Sequence, residues 1–293
     1  MEELKSSYLT FLKQKKKVSM NTFHSYDQDL GRFFSYLSQL EINNIQQISD
    51  TTIQSYLLFL EKNHFSAATI ARNLISLRSF FNFMVYIDQI KVSPVGTIKA
   101  PRIERKSPQK ITVEEVDKLL SLPDVNSTLG VRDKAILELM YATGLKPTEL
   151  ITLEVSDVNL NHDILTCRGE TRQRLIPFGH AAHQILHLYM EVHRPELQRV
   201  ADSQVLFLNR NGQPMTRQGL WKIIKGYAAK MNLNQLTPQI LRNSFAMHLI
   251  ENGAQISSVG EMMGYMDPFM AYSFTDHKDA RIRDEYIKAH PRA

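Results

Sequence analysis

The chain has 293 residues and a formal net charge of +5, with 43% hydrophobic and 22% charged residues, a length that predicts two domains and a composition that excludes a disordered or low-complexity protein. A single cysteine, Cys167, excludes an internal disulfide or a thiolate metal cluster and fits a reducing compartment. No uncharged apolar run approaches the ~18 residues of a membrane span, and residues 1–17 are too polar for a signal peptide, so a cytoplasmic location is expected.

The positive charge is unevenly placed. Residues 1–106 hold 14 Lys and Arg against 9 Asp and Glu, whereas residues 107–293 are balanced, which points to a polyanionic partner held by the first segment. That segment reads as helical. Lys13, Lys15, Lys16 and Lys17 cluster near its start and either grip phosphate or keep a helix end soluble. Ser19 caps a helix on which Phe23, Tyr26, Leu30, Phe33 and Leu37 form one buried face. Ser66 opens another, with Ile70, Leu74, Leu77, Phe81 and Met84 on the apolar side and Arg72, Asn73, Ser76 and Ser79 opposite, a polar face suited to a phosphate backbone.

From Lys91 to Gln109 the periodicity stops. Pro94, Gly96, Pro101 and Pro108 interrupt it, and Lys91, Lys99, Arg102, Arg105 and Lys106 make the stretch a basic linker. Thr112 and Glu115 form a capping box that starts a second domain. Arg132 to Tyr141 reads as a buried helix ended by Gly144. Ile164 to Cys167 and Leu175 to Phe178 read as two strands joined by the charged turn Arg168 to Arg174, with Cys167 an inert apolar residue on a buried strand. From His180 onward the chain reads as mostly helical, with a loop at Arg210 to Gln213. His183 and His187 are spaced for a shared helix face, but no nearby Cys, Asp or Glu completes a metal set, and Trp221 reads as core.

Three ordered segments carry a resemblance. Tyr141-Ala-Thr-Gly-Leu-Lys-Pro-Thr-Glu-Leu150, Thr237-Pro-Gln-Ile-Leu-Arg-Asn-Ser-Phe-Ala246 and Met263-Gly-Tyr265, followed nine residues later by Phe274-Thr275, resemble the catalytic boxes of the tyrosine recombinases, and His290-Pro-Arg-Ala293 is similar to the tail of the Xer type. The resemblance implies a mainly α fold with a small β-sheet. A helical, SAM-like core-binding domain over residues 1–90 would clamp DNA, residues 91–109 would link it, and residues 110–293 would form a recombinase catalytic-type domain. The implied partner is double-stranded DNA, with no cofactor and no metal. The tail, residues 279–293, would dock on a recombinase partner subunit or a second copy of the chain on DNA.

In that family a tyrosine hydroxyl attacks a phosphodiester, two arginines hold the phosphorus oxygens, a lysine in the β-turn protonates the leaving oxygen, and two further polar residues assist. The matching positions here are Lys146, Arg168, Gln239, Arg242, Tyr265 and Phe274. Only Arg242 keeps the family's residue type. Lys146 keeps a charge and loses the bidentate fork. Arg168 is a poor proton donor, Gln239 cannot shuttle a proton, Tyr265 offers one hydrogen bond, and Phe274 has no oxygen. Tyr272 lies about 200° from Phe274 around a helix and faces away. The candidate DNA contacts are Lys15, Lys16, Arg72, Asn73, Ser76, Arg102, Arg105 and Arg242. Three functions fit these residues: a DNA-binding or non-cleaving partner subunit that has lost the chemistry, an active recombinase in mutated or atypical form, and a protein-interaction module.

Overall fold

A computed structural model describes residues 1–16, 18–101, 109–169, 173–198, 203–264 and 286–292. The chain divides into two compact units, Met1–Lys106 and Ser107–Ala293, each with its own hydrophobic core.

The first unit is helical. It contains α1 (Glu2–Gln14), α2 (Met20–Gln39), α3 (Asp50–Lys62) and α4 (Ala67–Tyr86). Ser19 and Ser66 cap α2 and α4 through their side-chain oxygens, as the sequence predicts. Tyr8, Phe33, Tyr56, Phe80 and Phe81 fill the centre, each fully buried, and meet mostly edge to face, the arrangement that aromatic quadrupoles favour.

Two expectations for this unit change. Asn73 and Ser76 are fully buried rather than lying on an outer face. A second polar residue one helix away, Asp29, accepts the Ser76 hydroxyl at 2.9 Å, and Tyr56 donates to Asn73 at 3.0 Å, so these polar groups pair inside the bundle. The start of the expected linker also packs inward. Val95 and Ile98 belong to the first unit's core, and Arg78 donates to the Ile98 carbonyl at 2.9 Å. Arg102 and Arg105 lie outside the described residues.

The second unit opens with α5 (Val113–Ser121), capped by the Thr112–Glu115 box. The buried α6 (Thr128–Thr143) follows and ends at Gly144. After α7 (Pro147–Thr152) come three antiparallel strands, β1 (Val158–Asn159), β2 (Ile164–Arg168) and β3 (Gln173–Pro177), in that spatial order. Cys167 pairs with Arg174 and Arg168 with Gln173. The helices described after the sheet are α8 (His180–Leu188), a π-helical turn (Tyr189–His193), α9 (Arg194–Leu197), α10 (Arg217–Lys230), α11 (Pro238–Glu251) and α12 (Ile256–Met263). Among the described residues no helix is long and apolar enough to cross a membrane.

The described end of the chain, Tyr286 to Arg292, sits on its own unit. Tyr286 and Ala289 belong to the second unit's core. The Tyr286 hydroxyl accepts the Gly179 N–H at 3.0 Å, and its ring stacks on His290 with centroids 4.6 Å apart. Asn252 donates to the Ala289 carbonyl at 2.8 Å. Arg292 reaches both Glu138 oxygens, at 3.1 and 2.6 Å, and Asp117 at 2.8 Å. The described end of the tail therefore has a seat on its own domain. Residues 279–285 lie outside the described residues.

Candidate active site

The described parts of the boxes, residues 141–150, 237–246 and 263–264, meet at the corner between α6 and α7. Gly144 takes the left-handed conformation (φ 59), which glycine adopts without strain and which turns the chain sharply. A Cβ there would lie 2.4 Å from the Phe245 ring. Pro147 then starts α7, and the buried Glu149 accepts the Lys146 backbone N–H at 2.7 Å.

Around Glu149 stand two guanidinium groups. Arg174, from β3, donates to both carboxylate oxygens, at 3.0 and 2.8 Å, and its Nε donates to the Met262 carbonyl at 2.8 Å. Arg242, from α11, is only 2% exposed. It donates through Nη1 to the Gly144 carbonyl and through Nη2 to the Met263 carbonyl at 2.6 Å, with Nη1 3.9 Å from Glu149. Arg242 thus lies at the C-terminal ends of α6 and α12, where unpaired carbonyls and the helix dipole both favour a cation. Burial raises the Glu149 pKa, but the Arg174 bonds, the Lys146 N–H and the charges of Arg174 and Arg242 outweigh it and hold the carboxyl below its ordinary range.

The other matching positions differ in character. Lys146 is exposed. Gln239 is exposed and donates to Asn243 at 2.9 Å. Arg168 ends β2 and pairs with Glu154 at 3.1 Å and Asp157 at 2.9 Å. Tyr265, Tyr272 and Phe274 lie outside the described residues. Within the hairpin, on β2, burial pushes the pKa of the Cys167 thiol up to about 12.

Glu149 and Arg174 are the site residues to which sequence reasoning gave no role. The signal for Glu149 was its place three residues after Lys146 at a helix start. The pairing with Arg174, 25 residues on, has no local signature. Trp221 also departs from expectation. It is 36% exposed on α10 rather than core, with Lys225 5.9 Å from its ring centroid. His183 does have an acid beside it, because Asp163 lies 2.6 Å from its Nδ1, yet among the described residues no group of three or more His, Cys, Asp or Glu is placed to hold a metal.

The phage integrase family pattern matches residues 109–281, and the phage integrase N-terminal SAM-like domain matches residues 6–86. The chain belongs to the phage integrase family. Tyrosine recombinase XerD of Staphylococcus haemolyticus (strain JCSC1435) is 40% identical over 295 residues, spanning the whole of both chains. Tyrosine recombinase XerD of Listeria innocua serovar 6a is 37% identical, again over both whole chains. This integrase-family member is therefore of the Xer type, mainly α with a small sheet. Two solved structures share its fold. The Tn1549 transposon integrase in complex with transposon right end DNA superposes with a TM-score of 0.72 at 18% identity, covering 98% of this chain and 99% of that one. XerH site-specific recombinase bound to difH substrate gives 0.72 at 19%, covering 98% and 82%.

Proposed function

We propose that this chain binds duplex DNA as an Xer-type subunit that does not cleave it. Phe274, at the position matching the family's nucleophile, carries the reading, because a phenyl ring has no oxygen with which to attack phosphorus. The neighbouring positions support it. Lys146 is a point charge where a planar fork is needed, Arg168 is held by two carboxylates, and Arg242 is turned toward two main-chain carbonyls.

DNA binding is supported separately. Both structural neighbours are described in complex with their DNA. Lys15 and Lys16 are exposed in the first unit. In the second, residues 203–250 contain six Lys and Arg and no Asp or Glu, and α10 places Arg217, Trp221 and Lys222 at its exposed surface, a basic and aromatic set suited to phosphate and base contact. The tail, seated here on its own domain, is proposed to move to a neighbouring subunit only on DNA, where subunits meet at a fixed angle.

Nicked duplexes incubated with the protein test the reading. Retardation on a native gel with no covalent adduct under denaturing conditions is expected. An adduct that disappears on Tyr272→Phe would overturn the non-cleaving reading. Phe274→Tyr alone should yield little cleavage, since phosphoryl-transfer groups act as a unit. The combination of K146R, R168K, Q239H, Y265H and F274Y is the fuller reversion.

A further inference from the structure

The first unit buries one carboxylate completely. Asp29, on α2, is 0% exposed, and a lone ionised carboxylate in such a place is strongly unfavourable. Three donors meet it: the Ser76 hydroxyl at 2.9 Å, Arg72 at 2.9 Å and Arg32 at 3.3 Å. Ser76 is itself fully buried, so it serves the interior. The two arginines do not: their side chains remain 37% and 23% exposed.

Each guanidinium is held from more than one side. Arg72 also approaches the Ser25 carbonyl at 3.5 Å. Arg32 donates to Asn73 at 3.4 Å and lies over the Phe65 ring, 4.7 Å from its centroid. Asn73 is in turn fixed by Tyr56 at 3.0 Å and by the Thr69 carbonyl at 2.8 Å. A guanidinium has five N–H donors, and these contacts leave some unused. Two cations against one carboxylate also leave the cluster positive. Fixed, part-exposed and over-charged forks are pre-organised for an anion, because the entropy of ordering them is already spent in the fold.

We infer that Asp29 is a positioning residue that aims Arg72 and Arg32 at a phosphate of the DNA backbone. The inference rests on the DNA-binding reading and adds to it a buried support that never touches DNA. It assigns Asn73 and Ser76 to that support as well.

The sign of one substitution separates this role from simple electrostatics. Asp29→Asn makes the chain more positive, so charge alone predicts tighter binding to a polyanion. Positioning predicts weaker binding. The full-length protein is titrated with a labelled random-sequence duplex over a salt series, with a thermal melt of each variant.

Arg72→Gln is expected to lose roughly tenfold in affinity, the scale of a hydrogen bond to a charged group, and to reduce the log-log salt slope by about 0.9. Asp29→Asn is expected to weaken binding at an unchanged melting temperature, and to have no further effect in a chain already carrying Arg32→Gln and Arg72→Gln. A folded Asp29→Asn protein that binds as tightly as wild type, or tighter, overturns the inference. If Asp29→Asn does not fold, Ser76→Ala and Arg72→Lys decide it: weaker binding by both supports positioning, and unchanged binding overturns it. Wild-type protein that retains no duplex would instead overturn the DNA-binding reading and the inference with it.

Discussion

Replacing Arg242 with alanine removes the donor from the Gly144 and Met263 carbonyls and one of the two cations beside Glu149. The expected cost is about 2–4 kcal/mol of unfolding free energy, from buried acceptors left unpaired and a weakened ion cluster. The exposed Gln239→Ala change should stay within about 0.5 kcal/mol. Urea denaturation of the two variants checks the contrast, and equal midpoints would remove the internal role assigned to Arg242. The Glu149 carboxyl is depressed in the folded state, so its stabilising contribution is full at neutral pH and is lost as pH falls below the ordinary carboxylate value of about 4.3. Arg242 is legible in the sequence because it sits in a recognisable box. Its burial is not, since the groups that cover it come from α6 and α12, on either side of it in the chain. Asn73 and Ser76 mislead for a related reason. A helical wheel places polar residues outward, and only the three-dimensional fold brings Asp29 to them across 47 residues from Ser76.

Helix starts are legible in the sequence where a cap is local. Ser19, Ser66 and Thr112 each bond a backbone N–H three residues on, and this pattern is visible in four letters. The two-residue β1 and the π-helical turn after α8 have no such signature, because they depend on what packs against them. The tail belongs with these. Tyr286 offers a single aromatic ring, but the Gly179 N–H and the His290 ring meet it, and His290 packs in turn on Tyr141. Tyr286→Ala should cost about 3 kcal/mol or more, as for other fully buried aromatic residues, while Ile287→Ala, 57% exposed, should cost little. Acid should loosen the same element. Burial, helped by the nearby Arg292 and His248 charges and opposed by the Tyr141 carbonyl, lowers the His290 pKa to about 4. A depressed histidine destabilises the fold progressively as pH drops from about 6.5 toward that value, by about 3 kcal/mol in all. Thermal melts between these limits should show the loss, and His290→Phe should flatten it.

Across the whole molecule, the net charge of +5 resides in residues 1–106, but a net charge is not a map of surfaces. The second unit is balanced overall and still carries an acid-free run over residues 203–250, so nonspecific affinity should be shared between the units. Lys15→Gln with Lys16→Gln in one protein, and Arg217→Gln with Lys222→Gln in another, should each flatten the salt dependence of DNA binding by about 0.9 for every phosphate that is no longer neutralised. Retention of the full slope by the second pair would return the DNA contacts to the first unit alone. Gly144 and Gly264 both adopt left-handed conformations, and Arg242 bonds the carbonyl of Gly144 and that of Met263, next to Gly264. One guanidinium therefore serves as a common anchor for two turns that lie far apart in the chain. A change that drew it outward would loosen both helix ends at once, so substitutions at Gly144, Gly264 and Arg242 should not add independently.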